Sequence, residues 1–375
     1  MKITEIEPII LSSAVGSASL PAEVGERSAE TSSVLVRVHT DEGITGLGES
    51  FYRSETDNRF LAESIRSLSR QLIGEDPSRV RQLWHELYVN VKRSGAFGAL
   101  SALDEALWDI KGKMAEEPLY QLLGGRTNEV SAYGTFPLDK TAEELVDSAG
   151  WLAEKGFEVM KIGAGFGISE DRDRIRTITR EMPEGIGLAI DANTSYSFKD
   201  ALAVAETASE CDLRWFEEPI AHTDIQGQAE LNRRVSVPIS GYQTHTPHYP
   251  AVDHLREGAL EIYQPSLDYV GGVTGATRVA ALVEAFNKDL VPHALGPPIN
   301  YAASLHVAAA SPACSLIEFG VLDEDIDDPG RYVAGPYIAN QDAIYVQDGG
   351  SVEPPDEPGL GITLDDDTVE EYRVD

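Results

Sequence analysis

A TIM-like α/β barrel preceded by a smaller α+β domain is the fold this sequence predicts, and three observations lead to it. From Val130 onward, short apolar runs alternate with helical patterns, the rhythm of a parallel sheet with crossover helices. The residues before about 125 lack that rhythm and read as a hairpin followed by helices. A length of 375 residues suits a barrel with one companion domain.

The early elements follow from local pattern. Met1-Lys-Ile-Thr-Glu-Ile-Glu-Pro8 reads as a strand, and Ser12–Glu30, rich in small and polar residues, as a loop. Ser33-Val-Leu-Val-Arg-Val-His39, the turn Asp41-Glu-Gly43 and Gly46-Leu-Gly-Glu-Ser50 form a hairpin. Helical patterns run over 58–72 and 77–88. Ser101–Lys113 then places Leu103, Ala106, Leu107 and Ile110, with Met114 beyond it, on one face, a predicted core stripe. Leu122-Leu-Gly-Gly125 closes this part of the chain.

Strands of the barrel are expected at 130–136, 158–163, 187–193, 213–219, 237–242, 260–265, 289–294 and 315–320. Helices are expected at 142–154, 170–181, 201–210, 225–235 and 275–287. After Gly320 the pattern lapses into a Pro-, Gly- and Asp-rich tail, of a kind that packs back on another domain.

Composition narrows the partners. With 63 acidic against 30 basic residues the net charge is −33, spread along the whole chain. Such self-repulsion is relieved at high salt, where the Debye length shrinks to roughly 3 Å at 1 M, so a salt-loving source is inferred. Nucleic acid and anionic membranes are poor partners for this surface. Cys211 and Cys314 fall on separate elements, so no disulfide framework is read and a reducing compartment fits. No run approaches a membrane span and the N-terminus lacks a signal-peptide core, so a cytoplasmic location is expected.

In a TIM-like barrel the chemistry sits at the C-terminal tips of the strands. Gly187-Leu-Ala-Ile-Asp191-Ala-Asn193 and Leu213-Arg-Trp-Phe-Glu217-Glu218-Pro219 read as consecutive strands that both end in carboxylates. Two such groups at neighbouring tips imply a compensating cation, most economically a hard divalent metal with oxygen ligands. The other tips deliver Lys161; Asn193; Ser240, Tyr242 and Gln243 with His245 beyond; Gln264 and Ser266; His293; and Glu318. Each alone has a bland structural explanation. Ionisable or polar residues at nearly every tip of one face do not.

These residues carry a resemblance. Asp104-Glu-Ala-Leu-Trp-Asp-Ile-Lys-Gly-Lys113, Leu122-Leu-Gly-Gly125, Asp191-Ala-Asn193, Trp215-Phe-Glu-Glu-Pro219, Gly271-Gly-Val-Thr274, Pro292-His293, Leu305-His306 and Pro358-Gly-Leu-Gly361 span almost the whole chain. The chain resembles the enolase superfamily, within it the mandelate racemase-like branch. The resemblance implies a modified TIM barrel with an α+β N-terminal capping domain: a cap over 1–125, a barrel over 126–325 and a tail over 326–375 that returns to the cap. It implies that Ser12–Glu30 and the segment after Glu49 close over the substrate.

It also implies removal of the proton next to a carboxylate by a Lys or His base, with the enolate held by Mg²⁺. Asp191 and Glu217 would bind metal, with Gln243 in the place of a third, carboxylate ligand. His293 would be the acid/base, Lys161 would lie near the substrate carboxylate, and Glu318 would hydrogen-bond the substrate or its enolate. Asn193, Tyr242, His245 and Ser266 complete the expected substrate-binding set.

Three departures redirect the expectation. Gly163 stands where a second lysine base is usual, which disfavours a two-base racemase. Ser266 stands where a carboxylate usually pairs with the strand-seven histidine, so His293 loses an anion that would raise its basicity unless another group compensates. Gln243 brings no charge to a metal. Strand six also lacks the lysine of the muconate-lactonising branch, which argues against cycloisomerase and dipeptide-epimerase readings. One base suffices for dehydration, so the expected activity is an acid-sugar dehydratase giving a 2-keto-3-deoxy acid from a small carboxylate substrate, in a homo-oligomer. The alternatives are an epimerase or racemase with Tyr242 or His245 as second group, and a catalytically degenerate carboxylate-binding homologue. A Schiff-base aldolase using Lys161 would need that lysine desolvated and neutral, which the surrounding carboxylates oppose.

Overall fold

Close backbone approach shapes the N-terminal part. In the computed structural model, which describes residues 1–13, 31–52, 54–125, 129–136, 140–321, 335–347 and 349–374, β1 (Ile3–Ser13), β2 (Thr31–Thr40) and β3 (Thr45–Ser50) form an antiparallel sheet. Ser12 and Ser13, expected in a loop, finish β1 opposite Ser32 and Thr31, and the rest of that expected loop, 14–30, lies outside the described residues. Helices α1 (Glu55–Ser69), α2 (Val80–Ser94) and α3 (Phe97–Ala115) follow. A Cβ at Gly48 would fall 1.9 Å from the Ala102 carbonyl oxygen and one at Gly46 2.2 Å from that of Ala106, so β3 lies on α3 at a distance only glycine permits. The single core stripe expected on α3 is too narrow. Residues 98–110 of this helix are buried on all sides, against β3, α2 and the barrel, whereas Met114 is exposed.

A four-residue helix α4 (Leu119–Leu122) leads to the barrel, whose strands and helices alternate except for two successive helices before the seventh strand. They are β4 (Val130–Thr135), α5 (Ala142–Glu154), β5 (Val159–Gly163), α6 (Ile168–Glu181), β6 (Gly187–Asp191), α7 (Phe198–Glu210), β7 (Trp215–Glu217) and α8 (Ile225–Arg234). Then come β8 (Ile239–Gly241), α9 (Pro250–Glu257), β9 (Ile262–Tyr263), α10 (Leu267–Val270), α11 (Gly272–Ala285), β10 (Asp289–Leu290), α12 (Pro298–Ala310) and β11 (Leu316–Gly320). Each expected strand contains one of these. Parallel pairing runs without a break from β4 to β10, β11 pairs with β4, and a bridge between Leu290 and Cys314 closes the circle. Among the described residues this is a modified TIM barrel carrying an N-terminal α+β unit.

The strand period of two fills the barrel in storeys. Tyr133, Val159, Ala189, Trp215, Ile262, Val291 and Leu316, all buried, pack together as an apolar layer distinct from the main core. Two residues further along those same strands come Thr135, Lys161, Asp191, Glu217, Gln264, His293 and Glu318. The apolar layer is the floor on which the polar one stands.

The tail contributes β12 (Val346–Gln347) and β13 (Ser351–Val352), the latter pairing antiparallel with β4. Residues 358–361 lie on α3: the Leu360 amide donates to Asp109 Oδ1 at 2.8 Å and the Leu119 amide to the Gly359 carbonyl at 2.8 Å. Residues 322–334 lie outside the described set. Among the described residues no helix is long and apolar enough to cross a membrane.

Candidate active site

Register brings the two tip carboxylates together. β6 and β7 pair in parallel with Asp191 directly opposite Glu217, and Glu217 in turn opposite Ser240 on β8. Asp191 Oδ1 accepts from the Asn193 amide at 2.8 Å and Oδ2 from Asn193 Nδ2 at 3.0 Å, while Asn193 itself sits in the left-handed region at φ 45°. Burial, then the Glu217 charge, pushes the Asp191 carboxyl well above its ordinary range.

Glu217 is fully buried and held from three strands. Lys161 Nζ donates to its Oε2 at 3.0 Å and Oε1 at 3.2 Å, Gln264 Nε2 to Oε2 at 2.8 Å and Trp215 Nε1 to Oε2 at 3.3 Å. Lys161 also reaches Glu318 Oε1 at 2.7 Å. Burial alone would lower the ammonium's pKa, but Glu217 and Glu318 outweigh it and hold Lys161 firmly charged. That state is incompatible with a Schiff-base nucleophile.

Glu318 is the hub on the opposite side. Besides Lys161 it accepts from Thr135 Oγ1 on Oε1 at 2.8 Å and from the Ala294 amide on Oε2 at 3.1 Å. Burial opposes its ionisation, yet Lys161 and then His293 bring its pKa down to about 2. His293 Nε2 faces Glu318 Oε2 at 3.9 Å. Burial lowers the imidazole's pKa, with Glu318 as the foremost opposing influence.

The remaining expected site residues lie differently. The Ser266 hydroxyl donates to Asp268 Oδ2 at 3.4 Å, and its backbone bridges to His293. Gln243 contributes its backbone to Glu218 and Ser266, with its side chain half-buried at the tip of β8. Tyr242 is held at φ 91°, a conformation strained for a bulky residue, and its hydroxyl donates to the Pro247 carbonyl at 3.2 Å. Its ring stacks on His245 at 4.5 Å, and His245 meets His254 at 4.6 Å and His222 at 5.3 Å. Burial, with His254 and His222 nearby, drops His245 to about 3, so it is neutral. Tyr242 and His245 thus belong to an aromatic cluster with no hydrogen bond to the Lys161–Glu318 network.

Gln264 is legible as a tip residue, but the hold of Gln264 and Trp215 on Glu217, and of Thr135 on Glu318, lies beyond the sequence reading. The available signal was position: Gln264 and Thr135 each stand two residues beyond a member of the apolar layer.

Among the described residues no three His, Cys, Asp or Glu side chains are grouped closely enough to hold a metal ion by themselves. The oxygen set at the β6–β8 tips nevertheless suits a hard cation: Asp191 and Glu217 side by side, the Gln243 amide available in place of an anion, and Glu218 Oε1 buried without a partner. Burial, then Glu217, pushes Glu218 up to about 7, a repulsion that an added positive charge would relieve.

A capped barrel whose strand tips gather carboxylates, one lysine and one histidine defines a class of enzyme scaffold, and comparison with known proteins specifies it. Residues 7–124 match the mandelate racemase/muconate lactonizing enzyme N-terminal domain, and residues 143–368 match the enolase C-terminal domain-like family. The chain belongs to the mandelate racemase/muconate lactonizing enzyme family of the enolase superfamily. It is 31% identical to an arabinonate dehydratase of Saccharolobus solfataricus, over 91% of this chain and 90% of that one. It is 32% identical to a D-galactarolactone cycloisomerase of Agrobacterium fabrum, over 91% of each. Among solved structures, L-talarate dehydratase from Polaromonas sp. JS666, complexed with Mg and L-glucarate, superposes with a TM-score of 0.87 at 25% identity, covering 100% of this chain and 98% of that one. A Streptomyces coelicolor racemase with bound magnesium gives 0.88 at 26%, covering 99% and 100%.

Proposed function

We propose that this protein is a Mg²⁺-dependent acid-sugar dehydratase that converts a polyhydroxy carboxylate into a 2-keto-3-deoxy acid. The observation that carries the reading is the single polar layer in which a half-buried histidine, a charged lysine and two carboxylates converge above an apolar floor. Dehydratases of acid sugars among the relatives support it.

His293 takes the α-proton, and the C–H electron pair moves into the bond between the α-carbon and the carboxylate carbon. The protonated ring then delivers that proton to the departing β-hydroxyl, water leaves, and the enol becomes the 2-keto acid. Lys161 keeps a fixed positive charge beside the developing dianion. Asp191, Glu217 and Gln243 would hold Mg²⁺, which supplies Lewis-acid stabilisation of the oxyanion when bound. Gly163 offers no base, which disfavours racemisation.

Cycloisomerases among the relatives favour a second reading. The missing strand-six lysine sets this chain apart from the muconate-lactonising type but does not separate dehydration from isomerisation of a sugar lactone.

The test is calorimetric titration with Mg²⁺, then solvent-deuterium exchange at the α-carbon across an acid-sugar library. Loss of water from the exchanging substrate supports dehydration, and a product of unchanged mass supports cycloisomerisation. Saturable metal binding without exchange of any acid sugar would leave the carboxylate-binding homologue. The division into 1–125, 126–325 and 326–375 is part of the proposal, supported by family matches that stop at 124 and resume at 143. So is a cytoplasmic homo-oligomer, to be tested by light scattering.

A further inference from the structure

The Glu318 carboxylate is fixed on several sides and free on one. Oε1 is taken by Lys161 Nζ at 2.7 Å and by Thr135 Oγ1 at 2.8 Å. Oε2 receives the Ala294 amide at 3.1 Å and keeps one direction open, toward His293 Nε2 at 3.9 Å. A group clamped in this way cannot swing to follow a substrate oxygen, and the adjacent lysine opposes its protonation.

The surroundings of the imidazole leave few other anions to serve it. From β5 it faces Lys161, a cation, and from β7 Glu217, which is bound by Lys161, Trp215 and Gln264. From the β9 tip the neighbour is Ser266, neutral and joined to His293 through a backbone bridge. The nearest carboxylate on that segment, Asp268, has Oδ1 on Ser50 Oγ at 2.7 Å and Oδ2 on Ser266 Oγ at 3.4 Å.

We infer that Glu318 acts through His293, as the positioning carboxylate of an acid/base pair spanning the β10 and β11 tips, and that it exchanges no proton with substrate. Nε2 faces Glu318 at 3.9 Å, within ion-pair reach when the ring is protonated. This rests on the dehydratase reading only for its use; the pair is a property of the free enzyme. An anion within about 4–6 Å raises a histidine's pKa by roughly one to three units, offsetting what burial removes.

The experiment is nuclear magnetic resonance titration of ring-labelled histidines in the full-length protein without substrate, with His293→Gln to assign its signal. Glu318→Gln is expected to lower the His293 midpoint by at least about one unit, a tenfold change in proton affinity. Adding Ser266→Asp to that variant is expected to return the midpoint toward the wild-type value, which a purely structural role for Glu318 would not produce. An unchanged His293 midpoint in folded Glu318→Gln would overturn the inference and place Glu318 on the substrate. Should that variant not fold, Glu318→Asp, which keeps the charge but draws it back from the ring, takes its place: a lowered His293 midpoint supports the pair and an unchanged one overturns it. Failure of every acid sugar to react would remove the dehydratase reading and leave this titration untouched.

Discussion

Glu318 in the barrel and a group of carboxyls under the N-terminal sheet show how equally buried side chains reach opposite states. In the barrel, Glu217 and Glu318 flank a lysine, and Glu318 is driven down to about 2 despite complete burial. Beneath the sheet, Glu49, Asp104, Glu105 and Asp268 are equally buried but meet neutral donors. Ser33 Oγ, the Tyr337 hydroxyl and the Ile299 amide hold Glu49; the Glu49 amide and Asn300 Nδ2 hold Glu105; Thr274 holds Asp104; Ser50 holds Asp268. There burial dominates. Glu49 and Asp104 rise to about 7, Asp268 to about 6 and Glu105 well above its ordinary value. Burial therefore does not mark a reactive site; the sign of the partner does.

That contrast can be broken most severely at His293. His293→Ala is expected to cut α-proton exchange by about 10²–10⁴-fold with the circular dichroism spectrum unchanged, and exchange that survives would move the reaction away from the polar layer. Lys161→Met comes next. It leaves Glu217 and Glu318 buried without their cation and should cost about 3–5 kcal/mol in urea unfolding. A loss below about 1 kcal/mol would mean that the layer is far wetter than its geometry implies.

Gln264→Leu removes a donor that orients Glu217 and should weaken Mg²⁺ binding about 10–100-fold in calorimetry. Equal affinity in the two proteins would detach Glu217 from the metal. The smallest effect is on the pH dependence of stability, and the two groups pull in opposite directions. Glu318 is depressed in the folded state, so its contribution is present above the unfolded carboxyl pKa and is lost as pH falls through about 2. Glu49, Asp104 and Asp268 are raised, so theirs is complete below the unfolded value and is lost as pH rises through about 6 to 7. Glu105→Gln should flatten the fall in unfolding free energy between pH 5 and 8, and a slope equal to wild type would show that Glu105 is already ionised there.

How much of this was legible in the residues depended on period. The barrel strands were readable because apolar runs recur between helical stretches, and Ala142–Glu154 has the bounds expected of it, and a Thr141/Glu144 capping box fixes its start. Pro298–Ala310 was missed as a helix because it is buried all round, so no polar face betrays its period. Pro250–Glu257 is too short for that signal, and the two-residue strands β12 and β13 have none. The tips announced the site, but which tip grips which does not follow from order along the chain. Lys161 meets Glu217 and Glu318 only because the barrel closes. Glu49 and Glu105 looked like any of 63 acidic residues, since what distinguishes them is the neutral company they keep.

The two-storey interior also bears on how such a protein tolerates insertions and deletions. Because each reactive side chain stands two places past a floor residue on the same strand, losing or gaining one residue between them would turn the reactive group outward and push its neighbour into the cavity. Length variation is thereby confined to the connecting loops, and a lineage of these enzymes can explore new substrates there while its strands stay locked in step.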